Sequence, residues 1–337
     1  MSRIPVALIG AGRIGRLHAA HLASMIPQAI LYGVADSSAD AARAVASAHG
    51  VERWTTDDET LISDPAVRAI VVAAPTPTHV PLILAAAASG KDVFCEKPIA
   101  LDLPSTDRAL KAVAKAGTRL QVGFQRRFDP AYRKAKEMID SGALGRVEYV
   151  RDAMRDPSPP SAEYLAASGG IFRDMTIHNF DCVRWLVGDE AAEVYAAGAC
   201  LVDPEIGRLG DVDTSVVTIR FRNGALASIE NSRRATFGYD VRTEVHGSKG
   251  AIFVGYSRET AILHLSEEGV RSDHVHWFVE RFDAAYAEEL RSFVCTIAAG
   301  EPTKVTGADG RAALALAVAA DASLAANRPV AVDGGAE

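Results

Sequence analysis

A cluster of glycines near the start constrains this chain more than any other feature. Gly10-Ala11-Gly12-Arg13-Ile14-Gly15 directly follows the β-branched run Ile4 to Ile9 and opens a segment with helical periodicity over 14–25. In that setting a GxGxxG has a mechanical meaning. One glycine makes the tight turn, the next lets a pyrophosphate approach the backbone, and the third lets helix and strand pack closely, with the helix N-terminus aimed at negative charge. A glycine turn that only packs a helix on a strand is the plain alternative.

The rhythm of the following residues extends the constraint. Ile4 to Ile9, Ile30 to Ala35, Arg68 to Ala74, Asp92 to Glu96 and Arg119 to Phe124 are strand candidates, with helical patterns near 14–25, 39–49, 79–89 and 104–116 between them. Continuous apolar strands separated by helices indicate a parallel, doubly wound sheet buried on both faces. After Pro130 the pattern changes. A helix over 131–141 and a helical segment near 176–187 precede a series of strands: Val216 to Phe221, Ala225 to Asn231 after the Asn223-Gly224 turn, Val241 to His246, Gly250 to Val254 and Ala261 to Leu265. Helices near 283–299 and 309–326, the second capped by Asp309, close the chain. The expected fold is α/β: an N-terminal Rossmann domain over 1–125, then an α+β domain over 126–337 with an open, mainly antiparallel sheet. The closing helix is free to pack back on the first domain.

Composition narrows the function. The 337 residues are 48% hydrophobic and 23% charged, as in folded globular proteins, and suit two domains. A formal net charge of −7 and the absence of any basic block argue against nucleic acid as a partner. No apolar run approaches the roughly 20 residues of a membrane span, so no membrane partner and a cytoplasmic location are expected. Cys95, Cys182, Cys200 and Cys295 lie far apart without a CxxC pair, and read as reduced, mostly buried thiols.

Several side chains stand where chemistry is expected. Gly10, Gly12, Arg13, Ile14 and Gly15 form the phosphate loop. Asp36 ends the second strand 21 residues after Gly15, where a carboxylate accepts from both ribose hydroxyls and repels a 2′-phosphate, which favours NAD over NADP. Capping of the next helix by Asp36 or Ser37 is compatible with that role. Pro75 and Thr76 follow the third strand in a proline-stiffened loop, with His79 either near the cofactor or capping a helix. Glu96-Lys97-Pro98 ends the fourth strand candidate at the sheet edge where ligands bind, and there a Lys can reach both a nicotinamide ribose and a substrate hydroxyl. The densest group is Gly169-Gly170-Ile171-Phe172-Arg173-Asp174-Met175-Thr176-Ile177-His178-Asn179-Phe180-Asp181. Asp174 and His178, four apart, share a face on a helical turn and fit an oriented base, a metal pair lacking a third ligand, or a satisfied helical histidine.

Taken together, the GxGxxG with His18 after it, the Glu96-Lys97-Pro98 triplet and the 169–181 stretch resemble the Gfo/Idh/MocA oxidoreductases, and within them the inositol dehydrogenase branch. Gly123-Phe124-Gln125-Arg126-Arg127-Phe128-Asp129-Pro130 and Arg155-Asp156-Pro157 carry the likeness further, so that it spans nearly the whole chain. The resemblance implies an NAD-dependent enzyme that oxidises a secondary hydroxyl of a cyclic polyol. Lys97, Asp174 and His178 become the catalytic set, and Glu96 and Lys97 join the cofactor contacts. Arg127, Asp156, Asn179 and Tyr239 become candidates for the remaining substrate hydroxyls, each equally suited to a domain-interface contact. No metal is expected, since a base and a hydride acceptor account for both particles that leave the substrate. The open sheet of such proteins mediates dimers or tetramers, so a homo-oligomer, specifically a homotetramer, is expected. Two alternatives remain open: a scyllo-inositol or sugar dehydrogenase of the same family, and a non-catalytic NAD-binding regulator.

Overall fold

In the computed structural model, which describes residues 3–255 and 258–333, the five early apolar runs become strands, and a short strand at Trp54–Thr55 that the sequence reading lacked makes six. These are β1 (Ile4–Ile9), β2 (Ala29–Ala35), β3 (Trp54–Thr55), β4 (Ala69–Val72), β5 (Asp92–Glu96) and β6 (Leu120–Gly123). Between them lie α1 (Arg13–Ser24), α2 (Ala39–Ala48), α3 (Asp58–Ile62), α4 (Thr76–Ala88) and α5 (Leu103–Ala116). All pairings are parallel, in the order β3-β2-β1-β4-β5-β6. The order reverses between β1 and β4, the switch point outside which open sheets of this kind take their ligands.

Burial explains why these runs pair. Val6, Leu8, Val71 and Phe94 are fully buried and share one cluster with Leu22 of α1, Val45 of α2 and four residues from near the C-terminus, Leu290, Phe293, Val294 and Ile297. Each such side chain contributes about 1.5–3 kcal/mol relative to exposure. Those four residues also show why Ala284–Arg311 belongs to the same compact unit as the chain through Phe128, whereas the sequence assigns everything beyond 125 to the second domain. The helix that carries them is amphipathic, and its apolar face covers this sheet.

Two local details differ from the sequence expectation. Helix α4 begins at Thr76 and not at 79, because Pro77 occupies the first turn, where a missing N–H costs nothing. The 74–79 stretch is therefore mostly the first turn of a helix, entered through Ala74 and Pro75. The glycines behave as expected: a Cβ on Gly15 would lie 1.9 Å from the Gly10 carbonyl oxygen, and one on Gly10, whose φ is +101°, would lie 2.4 Å from that of Ala73.

The second unit takes Asp129–Asp283 and the chain from Ala312 onward. It contains α6 (Pro130–Asp140), β7 (Val147–Arg155), α7 (Ala162–Ser168), α8 (Ile177–Val187), β8 (Ala191–Ala199), α9 (Pro204–Arg208), β9 (Thr214–Phe221), β10 (Leu226–Ser232), β11 (Asp240–Gly247), β12 (Gly250–Val254), β13 (Leu263–Ser266) and β14 (Gly269–Ser272). The chain then enters α10 (Phe278–Ala299), α11 (Gly307–Ala326) and β15 (Val330–Ala331). The sheet order is β12-β11-β7-β10-β9-β8-β15, antiparallel except for the parallel pair β7–β10. The Asn223-Gly224 turn forms as expected, with Gly224 at φ +90° and its N–H bonded to the Phe221 carbonyl at 3.0 Å. The strand expected at 261–265 does not continue the sheet: β13 and β14 form a separate ribbon whose residues are all exposed, so no buried face pins it there. The start of α11 is also corrected. Thr306 is the cap, its Oγ1 accepting from the Asp309 N–H, while the Asp309 carboxylate returns the bond to the Thr306 N–H at 2.8 Å.

The interior of the second unit is held by a polar chain. Asp152 of β7, fully buried, accepts from Thr243 Oγ1 at 2.6 Å and from Asn179 Nδ2 at 2.8 Å, and Asn179 Oδ1 accepts from Asn231 Nδ2 at 3.0 Å. Tyr132 of α6 lies 2.7 Å from Thr243 Oγ1; since that hydroxyl spends its one hydrogen on Asp152, Tyr132 is the donor. The network ties α6, β7, α8, β10 and β11 together. None of the four cysteines forms a disulfide; Cys95 and Cys182 are buried, Cys200 and Cys295 half-buried. Among the described residues, no helix is long and apolar enough to cross a membrane.

Asn179→Ala removes a donor from Asp152 and an acceptor from Asn231. Each buried group left unsatisfied costs about 1–3 kcal/mol, so the urea midpoint should fall clearly. An unchanged midpoint would show that this network does not hold the unit together.

Candidate active site

In the first unit the carboxyl ends of the strands gather the expected cofactor residues. Asp36 follows β2, its Oδ2 accepting the Ala11 N–H at 2.7 Å and its Oδ1 the Ser38 N–H at 2.8 Å. The carboxylate is thereby fixed beside the glycine loop. Ser38, and neither Asp36 nor Ser37, caps α2 by accepting from the Ala41 N–H.

The loop fits a dinucleotide. Gly12 is the exposed N-cap of α1, and a Cβ there would meet nothing within 4 Å, so the missing side chain leaves open space above the helix start. Arg13 is exposed and Ile14 half-buried. Neither α1 nor α4, which starts behind Pro75 and Thr76, has a side-chain cap or an acid in its first turn, whereas α2, α3 and α5 are capped by Ser38, Asp57 and Asp102. Two helix ends beside the switch point thus keep their amides for an anion.

His79 is placed differently from the expectation of a cofactor contact. Its ring is buried, with Nδ1 2.8 Å from the Pro98 carbonyl oxygen and Nε2 2.8 Å from that of Ala74; a neutral ring has a single N–H and donates it to one of the two. Burial pushes its pKa below the usual histidine range, against the pull of those two carbonyls. The residue staples the β4–α4 junction to the turn after β5. In that turn the Lys97–Pro98 peptide is cis and Lys97 is half-buried. Glu96 turns inward, its Oε1 2.7 Å from Nε2 of the fully buried His18 on α1. Arg127 forms an ion pair with Asp309 at 3.0 Å within this unit.

In the second unit a glycine pair precedes the segment that carries Asp174 and His178. Gly169 and Gly170 have φ values of +81° and +87°, and the Ile171 N–H that follows bonds Asp211 Oδ1 at 3.1 Å. One π-helical turn, Phe172–Thr176, then carries Asp174, and α8 continues from Ile177 with His178. A π turn inside a helix often marks a functional position. Both side chains are nearly buried. Asp174 Oδ1 accepts from the Tyr164 hydroxyl at 2.7 Å, and Oδ2 accepts from both terminal nitrogens of Arg233 at 3.2 Å each. Arg233 is fully buried, so this is a charge-assisted contact in a dry setting. Arg173 pairs with Asp321 and donates to the Gly169 carbonyl at 3.2 Å, holding the approach to the same turn.

The weaker substrate candidates separate. Asn179 is buried in the polar chain described above and is corrected from a substrate contact to a structural residue. The ring of Tyr239 is buried and meets Phe278 and Phe282 edge-on at 6.3 Å. Asp156, half-buried after β7, donates its N–H to the Ser232 carbonyl at 3.0 Å. Arg233 and Tyr164 are absent from the sequence expectation. Arg233 lies 59 residues from Asp174, and the only cue was a pair of arginines at the end of a buried strand.

The chain as a whole resembles known proteins. Residues 4–124 match the model of an oxidoreductase family with an NAD-binding Rossmann fold, and residues 132–253 match the Gfo/Idh/MocA C-terminal domain. A myo-inositol 2-dehydrogenase of Thermotoga maritima is 47% identical over 326 residues, covering 96% of this chain and 97% of that protein. The crystal structure of a putative myo-inositol dehydrogenase from Sinorhizobium meliloti superposes with a TM-score of 0.95 at 43% identity, covering 98% of this chain and all of that one. A scyllo-inositol dehydrogenase from Lactobacillus casei, solved with NAD(H) and scyllo-inositol, gives a TM-score of 0.93 at 29% identity, covering 98% and 99%. The two family matches and the near full-length identity agree: this chain belongs to the Gfo/Idh/MocA oxidoreductases, with an NAD-binding Rossmann fold as its first domain.

Proposed function

We propose that the chain oxidises one secondary hydroxyl of an inositol, namely myo-inositol to its 2-keto derivative, with NAD as acceptor. The observation that carries this reading is the helical turn on which Asp174, fixed by Arg233 and Tyr164, stands four residues before His178. NAD supplies the hydride acceptor, the C4 position of its nicotinamide ring, when it is bound. The remaining tasks fall to side chains. His178 takes the hydroxyl proton as general base. Lys97 donates to the same oxygen and stabilises its developing negative charge. Asp174, fixed at Oδ1 by Tyr164 and at Oδ2 by Arg233, accepts from a neighbouring substrate hydroxyl and orients His178. Asp36 receives the ribose diol, and Gly10, Gly12, Arg13, Ile14, Gly15, Pro75 and Thr76 frame the pyrophosphate. A ring bearing a hydroxyl on every carbon is selected by such fixed partners, because a site built for hydrogen bonds rejects a ligand that leaves them unpaired.

The same proposal includes a cytoplasmic homo-oligomer, either a dimer or a tetramer. Its support is apolar surface on the second unit: Phe253 of β12 is 66% exposed, and Leu265 and Val270 of the β13–β14 ribbon are 72% and 65% exposed.

Purified chain assayed with NAD and a panel of inositols and hexoses should form NADH fastest with myo-inositol. Faster turnover of scyllo-inositol or a hexose would move the substrate within the family, and no turnover of any polyol would favour a non-catalytic NAD-binding role. Asp36→Ala should weaken NAD binding and narrow the preference over NADP, since it removes hydrogen bonds and like-charge repulsion together. Unchanged constants for both cofactors would show that Asp36 does not hold the ribose.

His178→Ala should lower kcat by a factor on the order of 10²–10⁴, the usual size of a general-base contribution, with NAD affinity nearly intact. The base acts in its neutral form, so oxidation by the unaltered enzyme should fall as pH drops through the apparent pKa of the Lys97, Asp174 and His178 set. A variant that loses only in KM would make His178 a binding residue and place the base elsewhere.

A further inference from the structure

Three titratable side chains from three elements meet inside the first unit, next to the Lys97 turn. His18 of α1 and Glu289 of α10 are 0% exposed, and the Glu96 side chain at the end of β5 is 13% exposed. One ligating atom of each lies within 4.8 Å of the other two. His18 Nε2 is 2.7 Å from Glu96 Oε1, while His18 Nδ1 and both carboxyl oxygens of Glu289 have no hydrogen-bond partner. Gly123 of β6 closes another side: a Cβ there would come 3.0 Å from Glu96 Oε2.

A buried carboxyl group with neither oxygen bonded is expensive, and two carboxylates this close cannot both ionise in a low-dielectric interior. Glu96 accepts from His18, so the spare proton belongs on Glu289. Burial first, and then the charge of Glu96, push the Glu289 carboxyl well above the usual carboxylate range. The other titratable groups around Glu96 are its chain neighbours Cys95 and Lys97, His79, which senses its charge, and Tyr286, which meets His18 edge-on. The Cys95 thiol is itself raised by burial and then by Glu96, which leaves it protonated and uncharged.

We propose that His18 and Glu289 are positioning residues: the His18 Nε2–H and a neutral Glu289 acid clasp the Glu96 carboxylate from two sides and through it fix the start of the Lys97–Pro98 turn. A side-chain rotation or one bridging water brings the Glu289 hydroxyl within donating distance of Glu96. The inference rests on Lys97 acting at the reacting oxygen. As the pH rises through its raised pKa, Glu289 ionises, repels Glu96 and loosens that turn.

The test compares Glu289→Gln, which keeps a neutral donor of the same shape, with Glu289→Ala. The infrared difference spectrum of ligand-free protein, unaltered minus Glu289→Gln, should show the C=O band of a protonated carboxyl at neutral pH. Glu289→Gln should retain kcat and NADH affinity, read by fluorescence, and should keep activity on the alkaline side where the unaltered enzyme loses it. Glu289→Ala, with its fold checked by circular dichroism, should lose on the order of 10²-fold in kcat/KM, the size expected from a misplaced catalytic group. The proposal is overturned if the difference spectrum contains only carboxylate bands, or if the Gln variant is as impaired as the Ala variant. Stoichiometric divalent metal in the purified protein, lost on Glu289→Gln, would overturn it in favour of a metal site. The infrared and NADH-binding arms need no polyol, so a wrong substrate assignment leaves them decisive.

Discussion

Strands that all run the same way deliver their carboxyl ends to one edge, and the first unit is organised by that fact. Asp36 after β2, Thr76 after β4 and Lys97 after β5 are far apart in sequence, yet parallel pairing sets them along a single border. The arrangement holds only if α1 lies tightly on the sheet beside the switch point. Gly15 over the Gly10 carbonyl and Gly10 over that of Ala73 leave no room for a side chain, so close packing and the phosphate site are one constraint met by the same residues.

The second unit solves a different problem. The Phe172–Thr176 turn places the Asp174 carboxylate in a nearly dry setting, and an uncompensated charge there would cost several kcal/mol. Arg233 and Tyr164 supply the compensation, and the neighbouring Asp152 is satisfied in the same way by Thr243 and Asn179. Replacing such groups with apolar ones would often leave a protein as stable or more so. Their presence beside His178 accords with placement, not stability, as their use. The His18–Glu96–Glu289 cluster of the first unit follows the same logic.

Legibility in the sequence divides along these lines. The parallel sheet is readable because strands buried on both faces become continuous apolar runs, and the glycine loop names its own turn. β7 is unreadable by the same rule, since its inner face buries Asp152 and breaks the alternation, while the alanines of β8 imitate a helix. The parallel pairing of β7 with β10 leaves no local trace at all. Asp174 and His178 announce themselves by spacing. Their neighbour Asn179 looks equally available and is in fact spent on the core, a distinction set by partners 27 and 52 residues away. Arg233 and Glu289 are missed for a related reason: each stands next to a like charge, Arg234 and Glu288, and such a pair reads as surface until tertiary contacts bury one member.

In the proposed reaction a hydrogen on a ring carbon of the polyol would go directly to the bound cofactor, and only the hydroxyl proton to His178. Turnover of myo-inositol deuterated at carbon 2, followed by mass spectrometry and proton NMR of the NADH formed, tests this most directly. Deuterium should appear at C4 of the nicotinamide in every NADH produced, whether the solvent is light or heavy water. NADH without the label, or label exchanged with solvent, would contradict the assignment of both the reacting carbon and the chemistry.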